Sequence, residues 1–239
     1  IYLKDQFNNN YNIFSAVNLR PEQLVWPGID KTTVDFYAIT KPSYGSSISS
    51  ISNHSIAINN DDVLNSDLLF AYTQTTKTPT DGVVNLKFNH AMAELGILLK
   101  GDYSLNPDLL YEVKKIVIQG KMSRIYHFDT NSWSDDPGSD VKSYNYYQFT
   151  PIPTTADEGY QLFSGDDYKE LINASSGSNG DTFEFLIPGD YTISVTYNCL
   201  KRGKPSDSKY NEEKTCNVTL QQAEKHRVKL TLPDVVSVN

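Results

Sequence analysis

The side chains of this 239-residue chain that could do chemistry are four histidines, two cysteines, one acidic loop and a run of tyrosines. His54, His90, His127 and His226 stand at no metal-ligand spacing, and neither Cys-x-x-Cys nor His-Glu-x-x-His occurs. His90 lies inside an apolar segment. A structural role is expected there, because one ring donor to a backbone carbonyl satisfies it. Asp135, Asp136 and Asp140 look only loosely like a calcium loop. They lack the regular alternation and the closing bidentate glutamate, so a solvated loop is expected. There is no Gly-x-Ser-x-Gly elbow, phosphate loop or dinucleotide fingerprint. No catalytic residue, metal ligand or cofactor site is therefore assigned.

Two constellations keep two readings each. Cys199 and Cys216 fall on candidate strands that flank one loop, so they could form a disulfide across a hairpin or remain two free thiols. Tyr144, Tyr146 and Tyr147 could offer ring faces to a sugar. They could equally turn alternate rings into a core, with the third covering it.

Charge narrows the partners. Lysine plus arginine number 21 against 29 aspartates and glutamates, for a net charge of −8. Non-specific nucleic-acid binding and docking on an anionic membrane both need a basic face. No run approaches the ~18 apolar residues of a membrane-spanning helix.

The elements that must position these residues read as short strands. Tyrosine, threonine and phenylalanine favour strands. Residues 33–39 and 68–73 are strand candidates, and the regions of residues 113–118 and 124–128 look like successive strands around Gln119-Gly120. Near the end of the chain Tyr191, Ile193, Val195, Tyr197 and Cys199 alternate with Thr192, Ser194, Thr196 and Asn198. That is a strand with one buried and one wet face. Pro188-Gly189 before it has the signature of a type II turn. Val228, Leu230 and Leu232 alternate again. Residues 167–172 could form a helical turn.

The longest apolar-rich segment is residues 83–100. Val84, Leu86 and Phe88 share one face of an extended strand, whereas Ala91, Ala93, Leu95, Ile97 and Leu99 carry the apolar face on odd positions. One extra residue near Asn89-His90 explains the flip, as a β-bulge or as a strand passing between sheets. A short helix capped by Asn89 and closed by Gly96 is the other reading. Glycine, aspartate, asparagine and proline cluster in residues 101–107, which places a domain boundary there, with domains 1–101 and 102–239. Many short strands at turn-marked intervals indicate an all-β sandwich protein.

Three segments together resemble the fimbrillin-like family of bacteroidetes, the subunits of type V pili. The first is Asp67-Leu-Leu-Phe-Ala-Tyr72. The second is Val84-Asn-Leu-Lys-Phe-Asn-His-Ala-Met-Ala-Glu-Leu95. The third is Pro188-Gly-Asp-Tyr-Thr-Ile-Ser-Val-Thr-Tyr197, followed by a lysine-rich loop and a final alternating strand. The resemblance implies two tandem transthyretin-like Greek-key β-sandwich domains. It also implies a lipoprotein exported through the periplasm to the outer membrane and cell surface, acting in a fimbrium as stalk, tip or anchor. Its partners would be other pilus subunits, joined by β-strand complementation, and a host or bacterial surface glycan or protein. Arg20 is the candidate processing residue, although Pro21 after it makes a poor bond for trypsin-like enzymes. Leu232, Val235, Val236 and Val238 form the candidate donor strand, or else an ordinary edge strand. The rival function is a non-polymerising carbohydrate-binding surface module with Tyr144, Tyr146 and Tyr147 as platform.

Overall fold

The computed structural model describes residues 2–4, 11–13, 33–39, 53–60, 67–76, 85–104, 107–148, 160–162, 168–171, 184–232 and 235–238. In chain order the strands are β1 (Tyr2–Lys4), β2 (Tyr11–Ile13), β3 (Thr33–Ile39), β4 (Ser55–Asn59), β5 (Leu69–Thr76) and β6 (Asn89–His90). Next come β7 (Ala93–Gly101), β8 (Leu109–Lys121), β9 (Ser123–His127), β10 (Ser132–Asp135), β11 (Val141–Gln148) and β12 (Tyr160–Leu162). The last are β13 (Lys169–Glu170), β14 (Glu184–Leu186), β15 (Gly189–Lys201), β16 (Lys209–Leu220), β17 (Lys225–Leu232) and β18 (Val235–Val238). The all-β reading holds. The chain divides into two compact units, residues 1–41 with 69–89 and residues 42–68 with 90–239.

In the smaller unit β1 pairs with β2, and β3 pairs antiparallel with β5. A cross-strand pair supports the second ladder: Tyr37 and Tyr72 lie directly opposite, with stacked rings 5.2 Å apart. Beside them Asp35 accepts hydrogen bonds from the Tyr72 hydroxyl and the Gln74 amide.

The larger unit holds two five-stranded sheets. One runs β11-β8-β15-β16, with β12 also on β8. The other runs β13-β7-β17-β18, with β14 also on β7. The ladders are antiparallel except for β7 and β17, which are parallel. The inward rows of both sheets form one core. It includes Leu95, Ile97 and Leu99 of β7, Ile116 and Ile118 of β8, Ile193 and Val195 of β15, and Val228 and Leu230 of β17. Strand alternation places these residues there, since a period of two sends every second side chain inward. A three-stranded sheet, β10-β9-β4, belongs to the same unit. It buries Ile56, Ile58, Tyr126 and Phe128.

Of the segment at residues 83–100, residues 83–84 lie outside the described residues and residues 85–88 carry no strand, but the chain from Asn89 on does pass from one sheet to another. β6 extends the β3-β5 sheet, the chain bends at Met92, and β7 enters the larger unit. From Ala93 on, the odd positions Ala93, Leu95, Ile97 and Leu99 are fully buried. The helical alternative fails because β7 has strand partners on both sides, β17 on one and β13 and β14 on the other.

The two units divide the chain otherwise than at 101/102. β7 packs with strands that all lie beyond residue 101. β7 and β8, on either side of this polar stretch, belong to different sheets of the larger unit. Residues 169–170 form a short edge strand rather than part of a helical turn, pairing with Leu99 and Leu98 of β7. Nor does the strand β8 turn at Gln119-Gly120. It continues to Lys121, because the missing side chain of Gly120 makes room for Tyr191. A Cβ at that position would stand 2.3 Å from the Tyr191 ring.

Candidate functional site

The tyrosine platform is not on the surface. Tyr146 and Tyr147 are 2% and 8% exposed, and Tyr144 packs against the same core. The ladder between β11 and β8 carries a register shift between Asn145 and Tyr147. A bulge adds a residue and breaks the alternation, so two successive rings turn inward. The Tyr146 hydroxyl accepts a hydrogen bond from the Ile97 backbone N–H across the sandwich, at 3.4 Å. No ring face of these three is offered to a sugar.

The cysteines are free and half-buried. Cys216 of β16 stands opposite Ile193, whereas Cys199 of β15 stands opposite Lys209. Six residues of strand separate Ile193 from Cys199, about 20 Å at ~3.3 Å per residue. A disulfide needs Cα atoms about 4.4–6.8 Å apart, so the hairpin disulfide does not form in this register. Burial raises both thiols above their usual pKa. Titration of the chain unfolded in urea without reductant is expected to find both thiols, and finding none would mean that β15 and β16 pair in another register.

Arg20 lies outside the described residues. The candidate donor strand is found in place within its own chain. Leu232 is fully buried at the end of β17, and Val235, Val236 and Val238 belong to β18, which pairs antiparallel with β17. Among the described residues β18 ends its sheet and β16 ends the other.

His90 is exposed rather than a buried structural histidine. Its Nδ1 lies 2.6 Å from Asp67 Oδ2. The ring is held from outside, while its backbone carbonyl accepts from Gln222 Nε2 at 3.1 Å. The pair joins two of the segments that carry the family resemblance. The acidic loop is tied internally. Asp135 accepts from Lys121 and Arg124, which holds its carboxyl down at about 2. Asp136 accepts from the Ser123 hydroxyl and the Gly138 backbone, and these bonds lower it as well. No group of three metal-binding side chains occurs among the described residues.

The most built polar site in the larger unit went unnoticed in the sequence. It surrounds the third segment of the resemblance, Pro188-Gly189-Asp190-Tyr191. Asn60 is fully buried at the end of β4. Its Oδ1 accepts from the Ile187 N–H at 3.0 Å, and its Nδ2 donates to the Tyr191 hydroxyl at 3.1 Å and the Lys121 carbonyl at 3.4 Å. The Tyr191 hydroxyl donates in turn to the Ile187 carbonyl at 2.7 Å. Burial pushes that phenol up to about 12, so it keeps its proton. Arg124 bridges the Pro188 carbonyl and Asp135. Gly189 has φ +151°, and a Cβ there would meet the Arg124 guanidinium at 2.6 Å. Pro188-Gly189 is thus no hairpin turn. It lifts the chain from β14 in one sheet to β15 in the other, and Asn60 and Arg124 hold that crossing. An open groove of about 550 Å³ lies alongside, lined by Gln119, Lys121, Asp190, Thr192, Asn217 and Val141 among others. Its hydroxyl and amide groups are partly spent on one another, as in Thr192 to Asn217 and Thr219 to Asp190. The arrangement fixes a crossover and contains no nucleophile with a base beside it.

A model of the fimbrillin-like family matches residues 4–239. Among solved structures, a fimbrial protein from Bacteroides vulgatus superposes with a TM-score of 0.50 at 13% identity. The match covers 77% of this chain and 66% of that one, just under two thirds of its length. A protein described as a "putative cell adhesion protein" from Bacteroides uniformis gives a TM-score of 0.42 at 15% identity, over 92% of this chain and 76% of the other. No curated protein sequence matches the chain.

Proposed function

The chain belongs to the fimbrillin-like family, and from that premise we propose that it is a pilus-type structural subunit of the cell surface, acting in adhesion without catalysis. The observation that carries this reading is the family match over residues 4–239, which takes in both units rather than one. The same reading makes it an outer-membrane lipoprotein built as tandem sandwich domains. Its partners would be other pilus subunits and a surface glycan or protein.

Assembly would proceed by strand complementation. A sheet edge with unpaired N–H and C=O groups is a template for a strand from another chain. β18 supports this reading by its placement. It pairs with β17 over four positions, Val228 to Thr231, and among the described residues no strand follows it in the sheet order. Exchange of such a short edge between subunits would restore every ladder bond that its departure breaks.

The test is limited proteolysis that trims the chain near Arg20, followed by light scattering and mass spectrometry over time. A ladder of multimers that grows as the N-terminal segment is lost is expected. Trimmed chains that stay monomeric at high concentration would overturn the complementation mechanism and leave a non-polymerising surface protein.

A further inference from the structure

β14 (Glu184–Leu186) is held to the larger unit's second sheet, among the described residues, through Ala93, Glu94 and Leu95 of β7. Farther along the same edge, β13 takes Leu98 and Leu99. Among the described residues, Gly96 and Ile97 between them have no strand partner on that side. The Ile97 N–H reaches instead across the sandwich to the Tyr146 hydroxyl.

Glu184 sits at the start of β14, opposite Leu95. Leu95 is fully buried and core-facing, and residues directly opposite in a ladder share a face. The Glu184 carboxylate is thus turned toward the interior. Its Oε2 is shut off from solvent and has no hydrogen-bond partner, and the hydroxyl of nearby Tyr144 is in the same position. Among the described residues the group facing it is a phenol, Tyr144 of β11, with Tyr146 of β11 and Tyr191 of β15 beside Tyr144. The cation Arg227 of β17, whose Nη1 is buried, stands in register with Gly96, which alternation puts on the opposite face from Leu95. On its own sheet, His226 of β17 stands in register with Leu95 on the far side of β7, where its Nε2 accepts from the Gln221 N–H. Glu94 and Lys225 pair with each other one register position away, so alternation puts them on the opposite face. An ionised carboxylate in that setting has nothing to offset its lost hydration, whereas the neutral acid is tolerated.

We propose that Glu184 is a proton-operated catch: the neutral acid lets β14 lie on the edge of β7, and loss of its proton to solvent releases β14 and bares the β7 edge from Ala93 to Ile97. The device needs no second subunit, so it stands apart from the assembly mechanism above. The sign follows from burial, which raises Glu184 from its usual 4.5 to about 7 while β14 is docked. A released β14 regains the usual value. Below pH 4.5 both forms hold the proton and the catch is closed. Between about 4.5 and 7 the released form loses its proton first, so opening grows with pH. Above about 7 both forms are ionised and the dependence flattens.

The experiment is native-state hydrogen exchange on the full chain from pH 5 to 8.5, read by mass spectrometry and corrected for the intrinsic pH dependence of exchange. Peptides covering residues 93–97 and 184–187 are expected to show opening that rises about tenfold per pH unit between 5 and 7 and then levels off. β15 and β17 should show no such trend. In Glu184→Gln that dependence should vanish. Glu184→Met, neutral and of similar length, gives the same test if the glutamine variant folds poorly. Equal pH dependence in these peptides and in the rest of the sandwich would overturn the proposal. So would a slope that survives both substitutions.

Discussion

Tyr146→Ala is expected to cost the larger unit about 3–5 kcal/mol, the range for removing a large buried ring. Tyr146 is 2% exposed and belongs to the core cluster shared by both sheets. Its removal opens a cavity between β11 and β7. It also strips the Ile97 N–H of its acceptor. Tyr146→Phe separates the two losses. The ring stays, only the orphaned N–H remains, and about 1–3 kcal/mol is expected. Urea unfolding followed by tryptophan fluorescence measures both. The surface reading of Tyr144, Tyr146 and Tyr147 makes the opposite forecast. An exposed ring on a binding platform can be cut to alanine with stability changed by about 0.5 kcal/mol or less. A stability near that of the unsubstituted chain would therefore return the tyrosines to the surface.

What the sequence made legible was whatever has a local period. β15 alternates because one face is wet, and Tyr191, Ile193, Val195 and Tyr197 are buried as read, but the alternation ends there, since Asn198, read as wet, is fully buried and Cys199 is only half-buried. The phase slip at Asn89-His90 was legible for the same reason, since a flip of the buried parity requires a change of surroundings. What failed were features fixed by a partner far away in sequence. The bulge between Asn145 and Tyr147 turns two neighbouring rings inward, and nothing in the tyrosine run announces it. The register of β15 on β16 separates Cys199 from Cys216, although both flank the same loop. Gly120 looks like a turn residue until the Tyr191 ring is laid over it. A two-residue edge strand at Lys169–Glu170 is too short to differ in pattern from a helical turn. Pro188-Gly189 was readable as punctuation, but local turn chemistry does not say whether the next strand joins the same sheet or the opposite one. Asp67 and His90 are 23 positions apart, and only the family resemblance set their two segments side by side.

Asn60 is the sharpest case, because it follows Asn59 in a polar stretch where an exposed loop is the ordinary expectation. The structure instead buries it completely and gives its side chain three partners from two distant segments. Asn60→Ala is expected to cost about 3–5 kcal/mol, since the Ile187 N–H and the Lys121 carbonyl both lose a partner, at about 1–3 kcal/mol for each orphaned group, and a small void remains. The Tyr191 hydroxyl is spared, because it still donates to the Ile187 carbonyl. Asn60→Asp keeps the shape and the acceptor for Ile187 but loses the two donations from Nδ2. It also places a carboxylate where burial opposes ionisation, so its pKa in the folded state is raised. The sign is then fixed. The variant's stability is greatest below the ordinary aspartate pKa of about 3.9 and falls as pH rises through the interval up to the raised value. The alanine variant carries no such slope. Urea midpoints of both variants at pH 4 and pH 8 check this together. A pH-dependent loss in Asn60→Asp beside a constant loss in Asn60→Ala identifies Asn60 as the buried hub of the β14 to β15 crossing. Two variants that unfold like the original chain at both pH values would mean that the crossing is held by Arg124 and Pro188 alone.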